Sequence, residues 1–163
     1  MVIKHHFVLV HGLMHGAWCW YKTVDLLRRA GHRVTTLDLA SCGTHPADPN
    51  TISKFTVYNQ PLVDLLLLLP ETEKILQVGH SMAGFSVLDA MERFHRILKV
   101  YISAVLLRSG HIVLHVAGGQ DVDFLIELNQ ISQIVEMESD HSPMLSAPEK
   151  FHQILLATAD KYA

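Results

Sequence analysis

The chain has 163 residues, is 49% hydrophobic and 18% charged, and carries a formal net charge of −3 with no basic block. That length fits one domain, 1–163, with a core large enough to need no disulfides, and the charge argues against nucleic acid as a partner. The two cysteines, Cys19 and Cys42, stand in no metal-ligand spacing, so no metal is expected, and they suit a reducing compartment.

Met1-Val2-Ile3-Lys4 leads straight into an apolar run, which leaves no room for a signal peptide. A cytoplasmic location is the expectation. His5 to Val10 reads as a buried strand that runs into His11-Gly12-Leu13-Met14-His15-Gly16-Ala17-Trp18. A helix near Cys19–Ala30 follows, with Trp20, Val24 and Leu27 on one face, and Gly31-His32 stops it. Strand Arg33–Leu37 leads to a polar loop, Ser41–Asn50. A helix near Val57–Leu69 ends at Pro70. Its run Leu65–Leu69 is far short of a membrane span and reads as a buried helix end. Strand Lys74–Val78, the turn Gly79–Gly84 and an amphipathic stretch from Phe85 to Phe94 come next, then a strand near Val100–Leu107. A short strand over Gln133–Met137, a loop through Glu138–Leu145 and a helix over Pro148–Tyr162 close the chain. Strand and helix alternate, which predicts an α/β domain: a mostly parallel sheet with helices on both faces.

Three of these turns carry chemistry. Gly79-His80-Ser81-Met82-Ala83-Gly84 sits between a strand and a helix, the layout of a nucleophile elbow. The sharp turn lifts the Ser81 hydroxyl clear of the sheet, and the helix aims its first amides at the same point. Ala83 stands where the usual pattern has its last glycine. The His11-Gly12 turn after the first strand is where a serine hydrolase of this class places its second oxyanion-hole amide, so the two donors are the N–H groups of Leu13 and Met82. His141, between the last strand and the last helix, is the expected general base. Among 12 histidines it is position that singles it out.

Together these stretches resemble the plant methylesterase and hydroxynitrile lyase family of α/β-hydrolases. The matching segments are Phe7–Gly12, His15-Gly16-Ala17-Trp18-Cys19-Trp20-Tyr21-Lys22, Ala30–Thr35, Leu37-Asp38-Leu39-Ala40, Gly79-His80-Ser81 and Asp140-His141 with Met144-Leu145. The resemblance implies two chemistries. The lyases carry a threonine at the place of Gly12 and a lysine directly after the catalytic histidine, where this chain has Ser142. The esterase reading is therefore favoured, with Gly12, Leu13, His15 and Met82 at the substrate.

The family's strand matching Val100–Leu107 is followed by a long helical cap. Here the next apolar run, Ile112–Val116, begins after only Arg108-Ser109-Gly110-His111, so the cap is absent after about residue 108. A parallel neighbour needs a crossover of about a dozen residues. Either Val100–Leu107 partly unravels to serve as the connection, or Ile112–Val116 pairs antiparallel, or the chain derives from a deletion. The triad acid is expected after Ile112–Val116, at Asp121, with Asp123 in reserve. Without a cap the site is open to water and exposes apolar surface that favours a homodimer.

The function expected is a serine carboxylesterase for small methyl esters, acting through an acyl-enzyme with no metal or organic cofactor. Its partner is a small ester or carboxylic acid, with no membrane involved. The alternatives are a non-catalytic small-molecule binder or degenerate pseudoenzyme of the same fold and, less favoured, a hydroxynitrile lyase.

Overall fold

His6–Val10 forms β1, and all five residues are buried, as a strand covered on both faces requires. It is one of two inner strands of a four-stranded parallel sheet of order β2-β1-β3-β4, completed by β2 (Arg33–Leu37), β3 (Ile75–His80) and β4 (Ile97–Ile102). The computed structural model describes residues 5–94, 97–102, 106–108, 111–113, 135 and 137–162.

Side chains alternate across a strand, and β1 divides its residues between two cores. Phe7 and Leu9 join Trp20, Leu27, Leu76, Val78, Met144, Phe151 and Leu155 on one face. Val8 and Val10 join Leu39, Tyr58, Leu62, Leu66, Ala83 and Ala90 on the other. The first face is covered by α1 (Tyr21–Arg29) and the closing helix α5 (Pro148–Tyr162), with Trp20 stacked on Phe151. The second is covered by α2 (Phe55–Leu68) and α3 (Ala83–Arg93). The expected parallel sheet with helices on both faces is the one found.

Local signals set the element ends. The predicted helix over Cys19–Ala30 opens instead as a 3-10 turn, Ala17–Trp20, before α1. Gly31, at φ 91°, ends α1 as foreseen. The amide of His32 donates to the carbonyl of Leu27 and that of Gly31 to Arg28, the paired bonds of a Schellman stop.

Three expectations are corrected. Leu65–Leu69 is not a buried helix end: Leu66 is fully buried, but Leu67 and Leu68 are 66% and 83% exposed. At about 100° per residue, consecutive helical positions sweep past the core face instead of staying on it. The apolar run Val100–Leu107 is split between the end of β4 and a separate strand, β5 (Leu106–Arg108). β5 pairs antiparallel with β6 (His111–Val113), Leu107 opposite Ile112. Of the arrangements considered for Ile112–Val116, Ile112 and Val113 take the antiparallel one, because so short a connection suits a hairpin; residues 114–116 lie outside the described residues. Finally, Val135 and Met137, the described residues of Gln133–Met137, lie in no strand.

The register sets where chemistry can occur. Val10 pairs with Gly79 and His80 with Ile102, so the turns after β1 and β3 emerge side by side at the carboxyl edge of the sheet. That edge is where open parallel sheets place their ligands.

Candidate active site

Ser81 follows β3 directly and has φ 53°, a left-handed conformation costing about 1–2 kcal/mol for a residue with a Cβ. Two hydrogen bonds hold it there: its N–H donates to the carbonyl of Ile102 on β4, and its carbonyl accepts from Gly84 in α3. The elbow is also tightly packed. A Cβ at Gly79 would lie 2.6 Å from Cγ2 of Val87 and 2.9 Å from the carbonyl oxygen of Ala83. Ala83, in place of the usual glycine, is buried in the second core.

The His11-Gly12 turn comes up against the elbow. A Cβ at Gly12 would lie 2.9 Å from Cβ of Ser81 and 3.0 Å from Nδ1 of His80. The turn is held from behind by the fully buried ring of His11. Its Nε2 accepts from the amide of Leu39, so Nδ1 bears the hydrogen and donates to the carbonyl of Gly12 at 2.8 Å. Burial lowers the His11 pKa and keeps the ring neutral, as these bonds require. A trans peptide points its N–H away from its carbonyl. With the Gly12 carbonyl turned to His11, the N–H of Leu13 is aimed to the opposite side. Among the described residues, neither the Leu13 nor the Met82 amide has a hydrogen-bond acceptor.

Asp38, just beyond β2, fastens the far side of this turn. It accepts from the amide of Ala17 at 2.6 Å and from the amide and hydroxyl of Thr44, both at 2.9 Å. Partial burial would raise its pKa, but these donors prevail and lower it. Gly43, at φ 54°, brings the backbone so close that a side chain there would overlap the Asp38 carboxylate.

His141 reaches the site from the loop before α4 (Pro143–Ser146). Met144 anchors that loop in the first core with no exposed surface. The carboxylate of Asp140 accepts from the amide of Ser142 and the hydroxyl of Ser146, both at 2.8 Å. These bonds lower its pKa, the Ser146 hydroxyl most. Lys22 of α1 donates to the carbonyl of Leu145. So held, His141 presents Nε2 at 3.0 Å from Oγ of Ser81. A hydroxyl donating to a ring nitrogen at this distance is in place to lose its proton to that ring.

The predicted residues Gly12, Leu13, Ser81, Met82 and His141 therefore converge. His15 stands at the rim, its Nδ1–H donating to the carbonyl of Leu13 and its ring stacked on Trp18. Asp121 and Asp123 lie outside the described residues. Leu13 and Trp18 are more than half exposed and Met14 is 87% exposed, so the mouth of the site is apolar and open. Asp38 and the side chain of His80 are not singled out by the sequence. The available hint was small residues, Gly16 and Gly43, on loops that must approach one carboxylate.

Residues 7–130 match the family described as "Alpha/beta hydrolase family". The chain is 43% identical over 112 residues to Methylesterase 18 of Arabidopsis thaliana, covering 68% of this chain and 43% of that protein. It is 52% identical over 92 residues to Esterase PIR7B of Oryza sativa subsp. japonica, covering 56% and 34%. A crystal structure of a methylesterase from Arabidopsis superposes with a TM-score of 0.84 at 28% identity, spanning 98% of this chain and 99% of that one. The chain spans less than half the length of these two curated relatives. Among the described residues, no helix is long and apolar enough to cross a membrane. The chain belongs to the α/β-hydrolase family, in its plant methylesterase branch.

Proposed function

We propose that the chain is a serine carboxylesterase acting on small methyl esters. The observation that carries this reading is the 3.0 Å approach of His141 Nε2 to Ser81 Oγ beside two amides that have no acceptor among the described residues. Ser81 Oγ attacks the ester carbonyl carbon while its proton passes to Nε2 of His141. The carbonyl oxygen becomes an oxyanion held by the N–H groups of Leu13 and Met82, each donor lowering the barrier by about 3–4 kcal/mol. As the tetrahedral intermediate collapses, His141 returns the proton to the departing methoxide and methanol leaves. Water, deprotonated by the same ring, then attacks the acyl-enzyme and releases the acid and Ser81. We assign Asp121 to orient the imidazole and stabilise its cation, with Asp123 as the alternative.

The contact at Gly12 supports an esterase over a lyase. Any side chain there would press on Ser81 and His80, so a lyase threonine would have to displace the nucleophile or its neighbour. The apolar rim of Leu13, Met14 and Trp18 fits a compact, uncharged acyl group. The test is hydrolysis of p-nitrophenyl acetate and methyl salicylate by the wild type and by Ser81→Ala. Turnover lost in Ser81→Ala supports the reading, and equal turnover by both proteins rejects it.

A further inference from the structure

The residue before the nucleophile has a use that the mechanism above does not absorb. His80 ends β3, and its ring is 1% exposed. Nε2 of His80 lies 2.8 Å from the backbone carbonyl oxygen of His141. A carbonyl only accepts, so Nε2 bears the hydrogen and Nδ1 is a bare lone pair. That Nδ1 is buried with no hydrogen-bond partner among the described residues and faces Gly12, where an added Cβ would meet it at 3.0 Å. The ring is boxed in by others: His141 at 4.9 Å, His15 at 5.7 Å and Trp20 at 6.5 Å between centroids. It is wedged between the turn bearing the Leu13 amide and the loop bearing the base.

In a continuous strand, residues 80 and 81 would point to opposite faces. The left-handed φ of Ser81 breaks that alternation, and both side chains converge on one residue. Ser81 Oγ meets the ring of His141, and His80 Nε2 meets its backbone. A base on an otherwise exposed loop is thereby gripped at two points by consecutive residues of the elbow.

We propose that His80 is a positioning residue for His141: its Nε2–H holds the His141 carbonyl and so keeps the His141 ring in register with Ser81 Oγ. This rests on the reading of Ser81 and His141 as nucleophile and base. Burial, first, and the neighbouring imidazoles His141, His15 and His11 lower the His80 pKa to about 4. The ring therefore stays a neutral donor at the pH where an esterase works and does not compete with His141 for the proton. Its Nδ1, buried with no partner among the described residues, is a desolvation cost that a purely structural residue at this position has no reason to carry.

The experiment compares the wild type, His80→Gln and His80→Phe on p-nitrophenyl acetate, with the rate of fluorophosphonate labelling of Ser81 read in parallel. Gln retains a donor near the Nε2 position; Phe retains the bulk and loses the donor. His80→Phe is expected to lower kcat and the labelling rate by about 100-fold, the effect of misplacing a reacting group by about 1 Å, with KM within about twofold. His80→Gln is expected to recover kcat to within about fivefold of the wild type. Wild-type kcat in His80→Phe, equal losses in Phe and Gln, or a change confined to KM would overturn the proposal. Should His80→Phe fail to fold, ring-nitrogen NMR of the wild type decides: hydrogen on Nε2 supports the clamp, and hydrogen on Nδ1 overturns it. A wild type that neither turns over ester nor labels at Ser81 defeats the esterase reading, and the tautomer then decides the clamp by itself.

Discussion

Oγ of Ser81 and Nε2 of His141 stand 3.0 Å apart although 60 positions separate them in sequence. Asp140, the acid next to that base in sequence, gives Oδ1 to Ser142 and Ser146, and among the described residues no hydrogen bond joins it to the His141 ring. Asp140→Asn keeps an acceptor for those donors and is expected to leave kcat within about threefold. Asp121→Asn, at the residue we assign to orient the imidazole, is expected to lower kcat by up to about 10⁴-fold. Steady-state ester hydrolysis by the two variants checks this, and the reverse order of effects would reassign the acid.

Gly79 has no room for a side chain. In Gly79→Ala the new Cβ would press on Val87 and the backbone of Ala83, so α3 must move away from β3. Overpacking of this kind costs about 1–3 kcal/mol. A urea midpoint lowered accordingly, together with slower labelling of Ser81, is the expected result.

Asp38 supports the turn after β1 from a distance. Asp38→Ala strips the half-buried Ala17 amide of its acceptor, at about 1–3 kcal/mol for a buried group left unsatisfied, while the exposed Thr44 amide turns to water. Stability is expected to fall by that order and kcat with it, because the Leu13 amide loses its support. Denaturant melts and initial rates on one ester measure both effects.

Acid should weaken the fold earlier than carboxylate protonation alone would. His80 has a folded pKa of about 4, and burial also lowers His6, His11 and His152 below 6.5. Between the folded and unfolded values the unfolded chain binds more protons. The stability is therefore complete above pH 6.5 and is lost as pH falls toward 4. His80 alone accounts for about 3 kcal/mol across that window. Urea midpoints at pH 7.5, 6.0 and 5.0 are expected to decline, and to decline less steeply in His80→Gln. A flat profile would contradict the burial of these rings.

The meeting of Ser81 and His141 was legible because their positions follow from chain order: strand, turn and helix place a serine, and the loop ahead of the C-terminal helices places a histidine. The side-chain bonds of Asp38, His11 and His80 were not legible. Each depends on which loops pack together at the sheet edge, and no spacing along the chain encodes that. The leucine run Leu65–Leu69 misled because unbroken hydrophobicity has no period, so it cannot say which residues face inward. The division into β4 and β5 was hidden for a similar reason, since a lone Ser103 is all that interrupts the apolar run.

The most direct test of the account is mass spectrometry of the intact chain after fluorophosphonate treatment, in the wild type, Ser81→Ala and His141→Ala. The account predicts one adduct on Ser81 in the wild type, none in Ser81→Ala, and labelling slowed by about 10³-fold or more in His141→Ala. Equal labelling of the wild type and His141→Ala would contradict it.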